Sequence, residues 1–325
     1  MIDWRLLIRT TGGSEVIERE TIETPVPGPG ELRVRHYAVG VNYIDVYHRS
    51  GLYPLPLPTG LGSEAAGVVE AVGDGVTDLQ PGDRVAYMAH VPGTYANVGI
   101  ARADRTTKLP EAIGFDVAAA ALLKGCTVEA LLERCARVGP GMAILVHAAA
   151  GGVGSMMVPW AKSLGAFVIA HAGSSEKAAR AKAAGADVAL SDPFDVLADA
   201  VRNLTGGRGV DAAFDGVGAA SWGASLASLA VRGLLVSYGN ASGPVPPFTT
   251  LDLTRAGSVF VTRPTVFDYL RDPGSFGLSA KRVWDMIADG HVPIEIGQRF
   301  PLDAAAEAHR ALEARKTTGA TILEV

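Results

Sequence analysis

Residues 143–174 read AILVHAAAGGVGSMMVPWAKSLGAFVIAHAGS. An apolar run over 143–147 leads into the glycine turn Gly151-Gly152-Val153-Gly154, an amphipathic segment to about Leu164, and a second apolar run over 167–171. That order predicts a strand, a helix and a second, parallel strand. A glycine turn at the head of a helix lets backbone N–H groups and the positive helix end come up to a pyrophosphate, because no Cβ stands in the way. A dinucleotide suits that chemistry. Taken alone, a glycine cluster equally marks a tight turn or close helix packing, and Ala149 stands at the first glycine position of the G-x-G-x-x-G fingerprint. The strand before it, the helix after it and the second strand at crossover distance are the context the motif requires.

Working outward, β-runs recur at 187–190, 210–214, 233–238 and 258–262, with helical patterns at 176–184, 196–204 and 221–231. With the first two runs this predicts an α/β fold, a doubly wound parallel six-stranded Rossmann domain. Residues 1–120 differ. Alternating runs at 31–39, 65–72 and 83–88 are punctuated by Pro27-Gly28-Pro29-Gly30, Pro54–Pro58 and Pro81-Gly82, which predicts a mostly β domain of barrel or sandwich type. From 263 onward two helical patterns (281–289, 303–315) precede a β-run at 321–325, and this segment is expected to complete the first domain. The expected division is 125–262 for the nucleotide-binding domain, and 1–124 with 263–325 for the other.

A chain of 325 residues exceeds one ordinary core, so two domains are expected. With 48% hydrophobic and 19% charged residues the composition is that of a soluble globular protein, and a net charge of −5 disfavours a large nucleic-acid surface. Two cysteines, Cys126 and Cys135, are too few for a disulfide framework or a C-x-x-C metal site, and they read as small apolar residues in a reducing cytoplasm. The start MIDWRLLIRTTGG has no signal-peptide apolar core. Val138–Ala161 lacks Asp, Glu, Lys and Arg, but its two prolines and five glycines fit a buried βα unit better than a membrane span.

Asn42–Pro54 (NYIDVYHRSGLYP), Gly62–Gly73 (GSEAAGVVEAVG), Gly82-Asp83-Arg84-Val85, Ala148–Gly154 with the following WAKSLGA, Asp215-Gly216-Val217-Gly218, Gly239-Asn240 and the VTRP of 261–264 resemble the medium-chain dehydrogenase/reductase superfamily. More narrowly, they are similar to its zinc-free, zeta-crystallin-like NADPH:quinone oxidoreductases. The resemblance covers nearly the whole chain. It implies a GroES-like, mostly β catalytic domain interrupted by the Rossmann domain, with the active site between them, and a homodimer formed through the nucleotide-binding domains.

Zinc tests the resemblance. The catalytic zinc of the family's alcohol dehydrogenases is held by Cys, His and Cys, and those positions correspond here to Asn42, Ser63 and a place near Leu123, with Cys126 out of register. No metal is therefore expected. A quinone needs no Lewis acid, since it is strongly electrophilic and delocalises the charge that hydride addition brings.

For the 42–53 block two readings stand beside each other: a polar loop with aromatic anchors, or a site. The resemblance implies the second. Asn42 and Tyr47 then line the nicotinamide end of the cofactor, Tyr53 forms a wall of the quinone pocket, and Asp45 orders the loop. Lys124 is either a solvated charge or, with Thr127, a group facing the nicotinamide ribose or carboxamide. After the second strand no carboxylate stands at the tip in Ala170-His171-Ala172-Gly173-Ser174, where Asp or Glu would select NAD and repel a 2′-phosphate. Ser174 and Lys177 are either a plain helix cap with a solvated lysine or, as the resemblance implies, bind the adenosine 2′-phosphate together with Gly173 and Arg315. The resemblance further implies cofactor contacts from Gly151, Gly152, Val153, Gly154, Val217, Gly239, Asn240, Phe260, Val261 and Arg263. It also implies an adenine-side contact from Ser191, where the family often has tyrosine. The seven histidines show no H-x-x-x-H spacing, and His147, on an apolar strand, reads as a hydrogen-bonded core residue.

The expected function is an NADPH-dependent, cytoplasmic quinone reductase without metal, acting on a small molecule rather than on nucleic acid or a membrane. Two alternatives are carried. One is an enone or enoyl reductase, which also adds hydride to a conjugated acceptor; the other is an NADPH-binding structural or RNA-binding crystallin-like protein, disfavoured by the negative charge.

Overall fold

The computed structural model describes residues 3–89 and 91–325. In chain order the first elements are β1 (Asp3–Ile8), β2 (Glu18–Ile22), β3 (Glu31–Val41), α1 (Tyr43–Ser50), β4 (Thr59–Gly60), β5 (Glu64–Val72), β6 (Arg84–Met88), β7 (Val98–Arg102), β8 (Thr106–Lys108) and α2 (Phe115–Glu129). There follow β9 (Ala143–Val146), α3 (Gly152–Ser163), β10 (Phe167–His171), α4 (Ser175–Ala183), β11 (Val188–Leu190), α5 (Phe194–Leu204), β12 (Val210–Asp215), α6 (Trp222–Ala227), β13 (Leu229–Ser237), α7 (Thr250–Arg255) and β14 (Phe260–Thr262). The chain closes with α8 (Val266–Tyr269), α9 (Ser275–Ala288), β15 (Ile296–Pro301), α10 (Ala305–Glu313) and β16 (Ala320–Glu324).

The chain divides into two compact units, one holding the residues up to Cys126 with Leu270–Ala288 and Ile294–Val325, the other Thr127–Tyr269 with Asp289–Pro293. In the first unit a seven-stranded sheet runs β15-β16-β3-β5-β6-β8, with β7 also on β3, beside a three-stranded sheet β2-β1-β4. β16 pairs antiparallel with β3, so the C-terminal segment is built into this sheet (Ile322 opposite Gly40). Its alternating residues fill one core, in which Leu32, Val34, Val39, Val85 and Leu323 meet Ala305 and Ala308 of α10. Each fully buried aliphatic side chain of this kind stabilises the fold by about 1.5–3 kcal/mol.

In the second unit all six strands are parallel, in the order β11-β10-β9-β12-β13-β14. That is the doubly wound order, reversing direction at β9. The central strand β9 buries all four of its side chains, which is why its sequence is a continuous apolar run instead of an alternating one. The helical pattern at 221–231 is cut short: α6 ends at Ala227 because Leu229 already pairs with Val210 as the first residue of β13. Among the described residues no helix is long and apolar enough to cross a membrane, and Val138–Ala161 is taken up by β9, the glycine turn and most of α3.

Candidate functional site

The glycine turn leaves β9 and enters α3 with Gly151 as its N-cap. A side chain at Gly154 would collide with the Ala148 carbonyl and the Ala149 backbone, so this glycine serves close packing of the helix on the turn. A Cβ placed on Gly151 would press on the Ala148 carbonyl at 3.2 Å, whereas Gly173 borders open space, with nothing within 4 Å of a Cβ placed there. Ala148 holds a left-handed φ of 49° in a residue that is not glycine, a strained turn of the sort that collects at functional sites. The residues thus fit an anionic dinucleotide, whose phosphates would meet the glycine turn and the N-terminal end of α3.

At the tip of β10, Ser174 caps α4 by accepting a hydrogen bond from the Lys177 backbone N–H at 3.3 Å. Gly173 and Ser174 are exposed and Lys177 half-buried; Ser191, also exposed, follows β11. After β12, the buried Asp215 carboxylate accepts from the backbone N–H of Val217 (2.8 Å) and Gly218 (3.1 Å), which fixes the shape of that loop. Gly239 must be glycine because a side chain there would run into the Gly216 carbonyl. Asn240 follows it, and Arg263 donates to the Ser237 carbonyl at 2.8 Å. Phe260 stands 61% exposed on the edge strand, with Val261 next to it half-buried. Thr127, Gly151–Gly154, Gly173, Ser174, Lys177, Ser191, Val217, Gly239, Asn240, Phe260, Val261 and Arg263 all belong to this second unit.

Asn42, Tyr47, Tyr53, Lys124 and Arg315 belong to the first. The 42–53 block is a helix rather than a polar loop. Asn42 is the N-cap of α1 and forms a capping box with Asp45, whose Oδ2 accepts from the Asn42 backbone N–H at 2.8 Å; Gly51 ends the helix at φ 84°. Tyr47 packs its ring 5.0 Å from that of Tyr53 and 5.5 Å from that of Tyr43. Lys124 is no solvated charge. It is 4% exposed, and its ammonium donates to Glu64 Oε1 at 3.0 Å.

Glu64 is the centre of this polar cluster and was not among the expected site residues. Its Oε1 also accepts from Asn42 Nδ2 at 2.8 Å, and its Oε2 from the Leu123 backbone N–H at 2.7 Å. Beside it, Asp45 accepts from Ser63 Oγ (2.9 Å) and Tyr95 Oη (3.2 Å), and Tyr95 in turn lies 3.0 Å from His309 Nε2. Burial pushes the Asp45 carboxyl up to about 7 and His309 down to about 4. Arg49, itself 2% exposed, closes the group by a bidentate pair to Glu313 at 2.9 and 2.6 Å, and holds the Glu313 carboxyl below its usual range. Glu64 lies inside the quoted GSEAAG segment, whereas Tyr95 and His309 are single polar residues with no local signal. Asn42 and Ser63 are thus both engaged as donors to carboxylates, an arrangement unlike a set of metal ligands. Among the described residues no three His, Cys, Asp or Glu side chains converge on one point, and His90 lies outside those residues.

The zinc-binding dehydrogenase family matches residues 152–271, and the alcohol dehydrogenase GroES-like domain matches residues 28–158. The chain is 45% identical to a quinone oxidoreductase of Pseudomonas aeruginosa over 320 residues, 98% of each chain. It is 38% identical to a 2-haloacrylate reductase of a Burkholderia species, over 98% of this chain and 97% of that one. A quinone oxidoreductase of Escherichia coli, solved in complex with NADPH, superposes with a TM-score of 0.96 at 40% identity, covering 99% of this chain and all of that one.

Proposed function

Since the chain belongs to the medium-chain dehydrogenase/reductase family, in its quinone oxidoreductase group, we propose that it is an NADPH-dependent quinone reductase that works without a metal. The full-length likeness to quinone oxidoreductases carries this reading. NADPH, when bound, supplies the hydride. The turn at 151–154, with Gly151 as the N-cap, brings the backbone N–H groups at the head of α3 to the pyrophosphate, while Gly154 lets the helix pack closely on the turn. Gly173, Ser174 and Lys177, with Arg315, take the 2′-phosphate, and the missing carboxylate at the β10 tip removes the group that would repel it. Ser191 lies on the adenine side. Val217, Gly239, Asn240, Phe260, Val261, Arg263 and Thr127 serve the nicotinamide half.

Glu64 holds Asn42 and Lys124 in fixed positions, so both present to the nicotinamide and acceptor from a rigid support. Tyr47 and Tyr53 offer aromatic faces to a flat quinone. Water protonates the reduced product. The enzyme is cytoplasmic and pairs with a second copy through its nucleotide-binding domain, where the edge strand β14 exposes Phe260.

Anaerobic NADPH oxidation with a panel of quinones and enones tests the reading. Turnover of quinones is expected, and no turnover of any quinone overturns it. The likeness to 2-haloacrylate reductase favours one second reading, a reductase of activated carbon–carbon double bonds, for which the enones in the panel would be the better substrates.

A further inference from the structure

Beneath the carboxyl ends of β9, β10 and β12 lies a chain of buried polar groups that the proposed reaction does not use. Asp215 Oδ2 accepts from Ser225 Oγ at 2.6 Å; Ser225 Oγ lies 2.9 Å from His147 Nε2; His147 Nδ1 lies 3.2 Å from His171 Nδ1; His171 Nε2 lies 3.0 Å from the Asp192 carbonyl. His147 and Ser225 are wholly buried, Asp215 is 1% exposed and His171 4%. The Phe194 ring packs on both imidazoles, at 5.8 and 5.0 Å.

Counting hydrogens gives the consequence. With Asp215 ionised, as its four donors (Val217 N, Gly218 N, Ser221 Oγ and Ser225 Oγ) require, the chain has four contacts to fill. Ser225 and two neutral imidazoles bring three hydrogens. One contact must then set two lone pairs against each other, and a fourth hydrogen closes it. We propose that Asp215, Ser225, His147 and His171 bind one proton in common, and that this proton positions the loops that hold the cofactor.

The loops in question follow four strands. His147 adjoins the strained Ala148 of the glycine turn, His171 precedes Gly173 and Ser174, Asp192 follows Ser191, and Asp215 holds Val217 and Gly218. The carboxyl ends of parallel strands are where a dinucleotide lies in this fold. The charged groups facing the pair are Asp215 from β12 and Asp192 beyond β11; α5 contributes Phe194, α6 contributes Ser225, and Ser221, just before α6, donates to Asp215. Burial pushes both imidazoles below the ordinary histidine value, while Asp215 pulls each of them up and Asp192 pulls His171 up. The cofactor-free chain therefore lacks its fourth hydrogen near neutral pH, and cofactor binding, which favours ordered loops, favours proton uptake.

The inference rests on the proposed use of NADPH, so one arm of its test needs no cofactor. In the ¹⁵N spectrum of histidine-labelled enzyme without NADPH, His147 and His171 are expected to follow one common midpoint, moved by Ser225→Ala; separate midpoints overturn the shared proton. In the second arm, NADPH binding is measured by calorimetry at pH 6 to 7 in buffers of different ionisation enthalpy. Wild type is expected to take up more protons than Ser225→Ala or His171→Gln, and its affinity to strengthen by up to tenfold more per pH unit of acidification. His171→Gln keeps a donor toward Asp192 but does not titrate, so it retains binding without the linkage. Equal proton uptake in all three proteins overturns the coupling. If no binding isotherm appears in any protein, the proposed cofactor is wrong while the first arm still decides the chain.

Discussion

Replacing Glu64 by glutamine removes the full negative charge and leaves the shape of the side chain nearly unchanged, which makes it the sharpest probe of the polar cluster. The wild-type carboxylate is fully buried and serves three donors, one of them the Lys124 ammonium, whose side chain is 5% exposed. Glu64→Gln leaves that ammonium without its counter-charge, and breaking a buried pair in this way costs about 3–5 kcal/mol. The glutamine also has one acceptor oxygen for two directions: its amide NH₂ must face either the Leu123 N–H or the Asn42 and Lys124 donors, and an unsatisfied buried donor costs about 1–3 kcal/mol. These effects overlap, so about 4 kcal/mol is expected, a large share of the ~5–15 kcal/mol that keeps a protein folded. Hydrogen exchange of the β3 and β5 amides in graded urea reads the stability of this unit by itself. The double variant Glu64→Gln/Lys124→Met removes the stranded cation and should regain at least about 2 kcal/mol of the loss. A single-variant cost under about 1 kcal/mol, or no coupling in the double variant, would show that Glu64 does not hold Lys124 as described.

Lys177→Ala should weaken NADPH by about one to two powers of ten and leave NADH nearly unchanged, because a charge-assisted contact to phosphate is worth roughly 1.5–3 kcal/mol; an unaltered ratio of the two dissociation constants would move selectivity to Arg315 or remove it. Tyr53→Ala should raise KM for quinones with little change in NADPH affinity, since its ring packs on Tyr47 within the 42–53 block; equal loss of both, or of neither, places the acceptor elsewhere. For pH, burial holds His36 and His309 down to about 4 and lifts Asp45 to about 7. As pH falls from about 6.5 toward 4 the unfolded chain takes up both histidine protons before the native state does, while the native state alone keeps the Asp45 proton. The histidine contribution is lost on acidification and the Asp45 contribution on alkalinisation, a net of 2 − 1 = 1 proton, so stability from these three groups should rise by up to about 1.4 kcal/mol per pH unit across that window. Asp45→Asn should steepen the slope; a urea midpoint that is flat between pH 4.5 and 6 contradicts it.

The parallel sheet was legible because its strands are mostly apolar, β9 without interruption, and are separated by helical patterns at crossover spacing, so local pattern and tertiary fold largely agree. The glycine turn and the Ser174 cap were legible for the same reason: their geometry is settled within a few residues. The helix at 42–50 was harder, since YIDVYHRS has few aliphatic residues and its helical state depends on the Asn42–Asp45 capping box and on Gly51. The contacts that organise the polar clusters are of another kind. Asn42 reaches Glu64 across 22 positions, Tyr95 reaches His309 across 214, and Ser225 reaches His147 across 78.

A polar residue that finds its partner across such distances leaves no periodicity, spacing or turn chemistry behind in the sequence. It can be recognised only by the requirement that buried donors and acceptors be satisfied once the fold has brought them together. That requirement explains why Glu64, which simply follows Ser63 in the sequence, turns out in the structure to be the carboxylate around which Asn42 and Lys124 are arranged. It also explains why His147, read as a hydrogen-bonded core histidine, can be one and still matter to the cofactor loops: its two ring nitrogens bond to groups on α6 and β10, and through them reach the carboxylate that shapes the Val217 loop and the carbonyl beside Ser191. Removing either histidine's hydrogen-bonding capacity should therefore disturb loops it does not touch, whereas an apolar substitution elsewhere on β9 should destabilise the sheet and leave proton uptake on cofactor binding as it was.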